Sequence, residues 1–232
     1  MKEDPEILTR IARYLICYSS STSNIGLLNG KMGIVIFCFL YAKYSKKKFY
    51  EDFAEKLIDD IYSEIHLNIT RDFKDGLSGI AWGIEYLIQN GFVEGNADEI
   101  LEDLDKQILE RDVRRISDNS LETGLKGIAY YVAIRCRKKK NENCIVNVDY
   151  IFDLINALER NIDKDEESMY LVKQLTSIIH KENLFPFDNL IYRLCNQVKY
   201  KDPYIFKADR ALGIQNNGYT GIGLKKLLEI TQ

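Results

Sequence analysis

The sequence is short of several things, and each shortage excludes something. Three prolines in 232 residues (Pro5, Pro186, Pro203) leave long helices free to form almost everywhere. The longest apolar run, Met32 to Ala42, is bracketed by Lys31 and Lys43 and falls well below the roughly 20 residues a membrane-spanning helix needs. There is no positive excess: 32 basic against 35 acidic side chains give a net charge of -3, which argues against a broad nucleic-acid footprint. The opening segment MKEDPEILTR is charged and lacks the apolar stretch of a signal peptide. The five cysteines (Cys17, Cys38, Cys136, Cys144, Cys195) are odd in number and read as reduced, core-filling thiols rather than a disulfide framework. These absences lead to the expectation of a soluble, cytoplasmic protein with neither membrane nor nucleic acid as partner.

What is present is a repeat. Four segments align without gaps: Asn29-Gly30-Lys31-Met32-Gly33-Ile34-Val35, Asp75-Gly76-Leu77-Ser78-Gly79-Ile80-Ala81, Thr123-Gly124-Leu125-Lys126-Gly127-Ile128-Ala129 and Asn217-Gly218-Tyr219-Thr220-Gly221-Ile222-Gly223. Their first glycines lie 46, 48 and 94 residues apart, the last spacing being two periods of 47. A degenerate fifth unit, without glycines, is expected near residue 171. The residues ahead of the first glycines are Asn29, Asp75, Thr123 and Asn217, all favourable helix N-caps, so each motif is expected to start a helix at its cap. Glycine inside a helix costs about 1 kcal/mol relative to alanine. Two of them in each first turn therefore imply a close approach of other backbone, which we expect from several helix starts crowding at one rim.

Between these apolar helices lie one-sided ones. Stripes at helical spacing run through Ile7, Leu8, Ile11 and Leu15; through Phe53, Leu57 and Ile61; through Ile100, Leu101, Leu104 and Ile108; through Ile151, Phe152, Ile155 and Leu158; and through Leu190, Ile191, Leu194 and Val198. The chain thus alternates amphipathic and nearly all-round apolar helices five times. This predicts an all-α protein, one repetitive domain over residues 1–232. Its architecture is an α/α toroid or toroid fragment of about five helical hairpins, or else an open helical solenoid.

The repeated Gly-x-x-Gly motifs, above all Gly76-Leu77-Ser78-Gly79-Ile80-Ala81-Trp82-Gly83-Ile84-Glu85-Tyr86-Leu87, resemble those of the lanthionine synthetase C-like family. The resemblance implies an α/α toroid and a place in peptide modification, with a precursor peptide or its modifying enzyme as partner. In the family's cyclases a zinc at the rim activates a peptide thiolate, held by a cysteine in a Trp-Cys-Tyr-Gly-like motif and by an adjacent Cys-His pair. This sequence departs there. No cysteine precedes the glycines, no Cys-His dipeptide occurs, and the only histidines are His66 and His180. No zinc ligand carries over, no cofactor is expected, and zinc-dependent thioether cyclisation is disfavoured. The chain also supplies fewer hairpins than the family's usual ring.

Several residues stand out as site candidates. Glu85 is a lone carboxylate in an apolar helix, where aligned units carry Phe39, Ala133 and Leu227. It either faces a polar lumen, as a catalytic group, or pairs with a base in the core. Asp75 is a second candidate acid, with Glu122 nearby. Paired carboxylates would suit a glycosidase, as in the related six-hairpin toroids. Asn29, Thr123 and Asn217 at the helix starts, with Trp82 and Tyr219, are candidate peptide- or ligand-binding residues, since unpaired helix-start amides suit an anion or a peptide. Trp82, Tyr130 and Tyr131 fit core packing as well. Lys46-Lys47-Lys48 and the basic run from Arg135 to Lys140 are expected where inner helices end, either complementing the helix dipole or docking an acidic partner. The functions in view are a peptide-binding or peptide-modification accessory, a glycosidase-like enzyme, or a helical scaffold for a protein partner.

Overall fold

The computed structural model describes residues 3–65, 69–137, 144–160, 165–182, 189–199 and 210–231. Among them the secondary structure is helical, without strands. The helices are α1 (Glu3–Tyr18), α2 (Lys31–Ser45), α3 (Lys48–Glu64), α4 (Leu77–Gln89), α5 (Ala97–Ile100), α6 (Glu102–Leu109), α7 (Leu125–Cys136), α8 (Val148–Arg160), α9 (Glu166–Ile179), α10 (Asn189–Gln197) and α11 (Tyr219–Thr231). The expected alternation is seen in two hairpins, while α9, expected as an inner helix, buries one side only. α2 and α7 are buried almost all round, whereas α3 and α8 bury one stripe each. The outer helix expected through Ile100, Leu101, Leu104 and Ile108 is broken in two at Leu101. His66, Lys138–Lys140 and Pro186 lie outside the described residues.

The chain forms two compact units, Met1–Asn68 with Asp188–Gln232, and Ile69–Phe187. In the first, α2 packs on α3 and on α11, while α11 also packs on α1 and α10. In the second, α7 is central, flanked by α4 and α9 and covered by α8, with α6 against α4.

The helix starts explain the glycines. α2, α4 and α7 begin one residue later than expected: Gly30, Gly76 and Gly124 occupy the N-cap position in extended conformation, and none is capped by a side chain. The first helical amide instead donates to a main-chain carbonyl seven residues upstream: Lys31 to Asn24 (2.9 Å), Leu77 to Thr70 (2.8 Å) and Leu125 to Asp118 (2.9 Å). In α11 the Tyr219 and Thr220 amides donate to Ala211 (2.9 Å) and Leu212 (3.0 Å). Each loop therefore folds back across the first turn of its own helix, satisfying donors a helix start otherwise leaves open. A Cβ on Gly124 would overlap the Asp118 carbonyl, and one on Gly76 that of Thr70. The second glycine makes room for two neighbours. A Cβ on Gly127 would lie 2.5 Å from both the Leu121 carbonyl oxygen and the Phe73 Cβ. The close approach inferred from the sequence is thus made by loops, the helix's own and that of the neighbouring repeat.

Neighbouring loops are joined in a fixed direction. The Phe73 and Lys74 amides, ahead of α4, both donate to the Glu122 carbonyl ahead of α7 (2.9 and 3.0 Å). In the other unit the Ile214 and Gln215 amides, ahead of α11, both donate to the Leu28 carbonyl ahead of α2 (2.7 and 3.1 Å). Glu122 and Leu28 each sit two residues before the first glycine of their motif. The last repeat therefore addresses the first as its successor, just as α4's repeat addresses α7's.

Gly127→Val should destabilise the protein by about 1–3 kcal/mol through overpacking against Leu121 and Phe73. An unchanged thermal midpoint would contradict the loop-over-helix packing.

Candidate functional site

The helix starts that were candidates for ligand binding are occupied by their own loops. Asn29 is half-buried, with the Gly213 backbone close against its own. Thr123 is exposed, and its hydroxyl donates to the Asp118 carboxylate. That carboxylate also accepts the Ser120 amide (2.8 Å) and hydroxyl (3.1 Å), and the hydrogen bonds hold Asp118 below its ordinary pKa. Asn217 is exposed in the left-handed region (φ 54°), and its Oδ1 accepts the Lys199 amide at 2.6 Å. None of these residues caps its helix as the sequence led us to expect. The paired amides behind them correct the expectation of a ring of free donors.

The aromatic candidates are core residues. Trp82 is buried, stacks on Tyr86 at 5.3 Å and meets Phe73 edge-on at 6.1 Å, while Phe73 lies 6.2 Å from Tyr130. Tyr219, in the other unit, is buried against Tyr14 (4.4 Å), with the Arg210 guanidinium 5.5 Å above its ring.

Asp75 is half-exposed ahead of α4, its amide donating to Asp72 Oδ1 at 2.8 Å and its carboxylate 3.9 Å from Lys74 Nζ. Glu85 lies two turns into the same helix. At about 1.5 Å of rise per residue that is about 12 Å along the axis from the helix start. Glu85 is buried and fully engaged: Oε2 accepts Arg135 Nη1 at 2.7 Å and Oε1 accepts Gln89 Nε2 at 2.6 Å. Gln89 also donates to the Ile134 carbonyl, tying α4 to α7 (2.8 Å).

Arg135 organises the largest buried charge cluster among the described residues. It is 2% exposed, so it is no part of an exposed basic run. Its guanidinium donates to Glu85 on α4, to Asp98 on α5 (3.1 Å) and to both oxygens of Asp105 on α6 (3.1 and 2.6 Å). The Tyr131 hydroxyl also donates to Asp105. Burial disfavours the guanidinium's charge, but Asp105 and Glu85 outweigh it and hold Arg135 above its ordinary value. Burial raises the Asp105 carboxyl despite Arg135, with Asp98 and Glu85 adding to the rise. One arginine thus fastens acids from three helices to α7. The sequence carried a faint signal, since Arg135 is a charged residue two positions after Ala133 in an apolar helix, but nothing local says that its partners lie 30 and 50 residues upstream.

A second cluster joins α7 to α9. Lys126 Nζ pairs with Asp165 and lies 3.3 Å from Glu167 Oε2, while the Tyr130 hydroxyl donates to Glu167 Oε1 at 2.9 Å. The cysteines depart from expectation in part. Cys136 and Cys144 are joined as a disulfide, whereas Cys17, Cys38 and Cys195 are free. Burial pushes the Cys38 and Cys195 thiols up to about 12, which keeps them protonated and unreactive.

The family profile described as lanthionine synthetase C-like protein matches residues 21–183. No curated protein and no solved structure matches the chain.

Arg135→Met should cost about 3–5 kcal/mol, because it leaves buried carboxylates without their cation; Glu85→Gln, which keeps a hydrogen-bonding group, should cost less. Urea unfolding reads both, and equal losses would contradict the cluster described. Asp118 tests the loop electrostatics. Its pKa is depressed in the folded state, so its contribution is complete above the ordinary carboxylate value near 4 and is lost as pH falls through the lower folded value. The stability gap between wild type and Asp118→Asn should be constant above about pH 5 and close in more acidic solution. A gap that persists unchanged in acid would contradict the depressed value.

Proposed function

The chain belongs to the lanthionine synthetase C-like family, and from that premise we propose that it handles peptide without zinc. It binds a precursor peptide, or the enzyme that modifies one, and does not close thioether rings through a metal-activated thiolate. The observation that carries this is the donor chemistry at the helix starts. The positions ahead of the glycines hold Asn29, Asp75, Thr123 and Asn217, amide, carboxylate and hydroxyl groups rather than thiolate or imidazole. A zinc site of the cyclase type needs sulfur and nitrogen ligands. Of the five cysteines, Cys38 and Cys195 are buried and protonated, Cys136 and Cys144 are bonded to each other, and Cys17 is free and exposed near the end of α1 but belongs to no metal-holding group among the described residues. His180 is exposed at the end of α9, and among the described residues no group of three His, Cys, Asp or Glu side chains is arranged to hold a metal ion. The residues present do not fit the family's zinc.

The net charge of -3 supports a peptide or protein partner over nucleic acid. Among the described residues no helix is long and apolar enough to cross a membrane. The meeting place in this reading is the cytoplasm. Glu85 serves it as a structural group: its pairing with Arg135 supports a rigid peptide-binding framework over hydrolysis by paired carboxylates.

Protein purified from zinc-supplemented culture and passed through a desalting column should carry far less than one zinc per chain by elemental analysis. One zinc per chain would overturn the reading.

A further inference from the structure

The turn between α2 and α3 breaks three local rules within four residues. α2 ends on Lys46 in the left-handed region (φ 55°), a position where helices ordinarily use glycine or asparagine because a side chain there is strained. α3 then begins with Lys47 at its N-cap and Lys48 in its first turn. Cations lie there at the positive end of the helix dipole, where carboxylates are favoured. The end of an inner helix, where the sequence pattern puts all three lysines, would have suited them, but only Lys46 is so placed. Phe49 follows, 61% exposed, the most exposed large hydrophobic residue among those described.

These residues are held in place. Only Lys46 and Lys47 connect α2 to α3, and the two helices pack closely on one another. The Phe49 ring meets the buried Tyr50 edge-on at 5.4 Å, and Tyr50 in turn meets Tyr41 of α2 at 4.7 Å. All three lysines are exposed. The ion pair found for them is a long one, Lys48 to Asp52 at 3.8 Å, with both side chains open to solvent. Such pairs contribute little. Local rules broken together, with so little compensation in the fold, mark a functional surface.

We propose that Lys46, Lys47, Lys48 and Phe49 form a docking surface for an acidic peptide segment carrying an apolar side chain. Three weakly compensated cations attract its carboxylates, and the exposed Phe49 ring receives the apolar group. A peptide suits this surface better than an anionic membrane does. The patch is small and the protein is acidic overall, at -3. Beyond about 10 Å charges are screened, so a short peptide meets the lysines and their neighbours Glu51 and Asp52, whereas a membrane plane also faces acids farther along α3, including exposed Asp59 and Asp60. The proposal rests on the peptide-handling reading and gives it a surface.

The test uses fluorescence anisotropy with a short labelled peptide alternating glutamate and phenylalanine. Its controls are the same peptide with glutamine for glutamate, the same with lysine for glutamate, and phosphatidylserine vesicles. The full chain should bind the glutamate peptide, more weakly as salt rises, and at least about tenfold more tightly than the glutamine peptide. Lys47→Glu combined with Lys48→Glu should abolish that preference, and Phe49→Ala should weaken binding of both. Lys46→Gly guards against misfolding: it should raise the melting temperature by relieving the left-handed lysine while lowering affinity for the glutamate peptide. Equal binding of the glutamate and glutamine peptides, or full binding by the double variant, would overturn the docking surface and leave peptide handling standing. Lysine-dependent capture by the vesicles without peptide binding would overturn it in favour of a membrane. Failure to bind any of the three peptides would overturn the docking surface and count against the peptide-handling reading beneath it.

Discussion

The structure depends on one hydrogen bond repeated at successive helix starts: the first amide of a glycine-led helix donates to a main-chain carbonyl in the loop just before it. Lys31, Leu77, Leu125 and Tyr219 all make it. A helix start buried among other helices must find partners for its first amides or lose the cost of stripping them of water. In this fold the preceding loop supplies them by lying across the first turn, and it can do so only where no side chain stands in the way. The glycines follow from that. Because each loop is pinned to its own helix, it presents an edge to the next repeat, and the paired amides of Phe73 and Lys74, or of Ile214 and Gln215, join repeat to repeat. Glycine spacing, loop course and neighbour relation are consequences of one constraint.

The same constraint shapes what the helix starts can do. Amides committed to loop carbonyls are not available to an anion, and the side chains of Asp118, Thr123 and Asn217 are occupied in holding the loops. Charge in the second unit is likewise used for construction. Arg135 binds acids from three helices, and Lys126 bridges α7 to the start of α9. Family membership is shown, and the residues ahead of the glycines carry neither sulfur nor imidazole, on which the proposal of a zinc-free member rests. The least compensated groups lie away from the helix starts, at the lysine-rich turn between α2 and α3.

Much of this was legible in the sequence, for physical reasons. The period of 47 and the switch between one-sided and all-round apolar helices follow from burial, and burial is written in residue type. α8 appears where the stripe of Ile151, Ile155 and Leu158 placed it, because that stripe is clean and no glycine interrupts it. The degenerate fifth unit is present as α9, helical without glycines, its start capped by the Asp165 side chain in place of a loop. Less legible was anything fixed by partners far along the chain. Asn29, Asp75 and Thr123 are good N-cap residue types, but the upstream carbonyl outcompeted them and moved each cap to the glycine. Glu85 invited two readings, and the choice between them lay with Arg135, 50 residues away. Cys136 and Cys144, eight residues apart, gave no sign that they would be joined.

Amide hydrogen exchange at the helix starts tests the central claim most directly. The Lys31, Leu77, Leu125 and Tyr219 amides should be protected to nearly the same degree as amides in the middle of α2 and α7, since each is bonded within a packed loop. Exchange at these four positions as fast as at ordinary frayed helix ends would contradict the claim and remove the physical reason for the glycines.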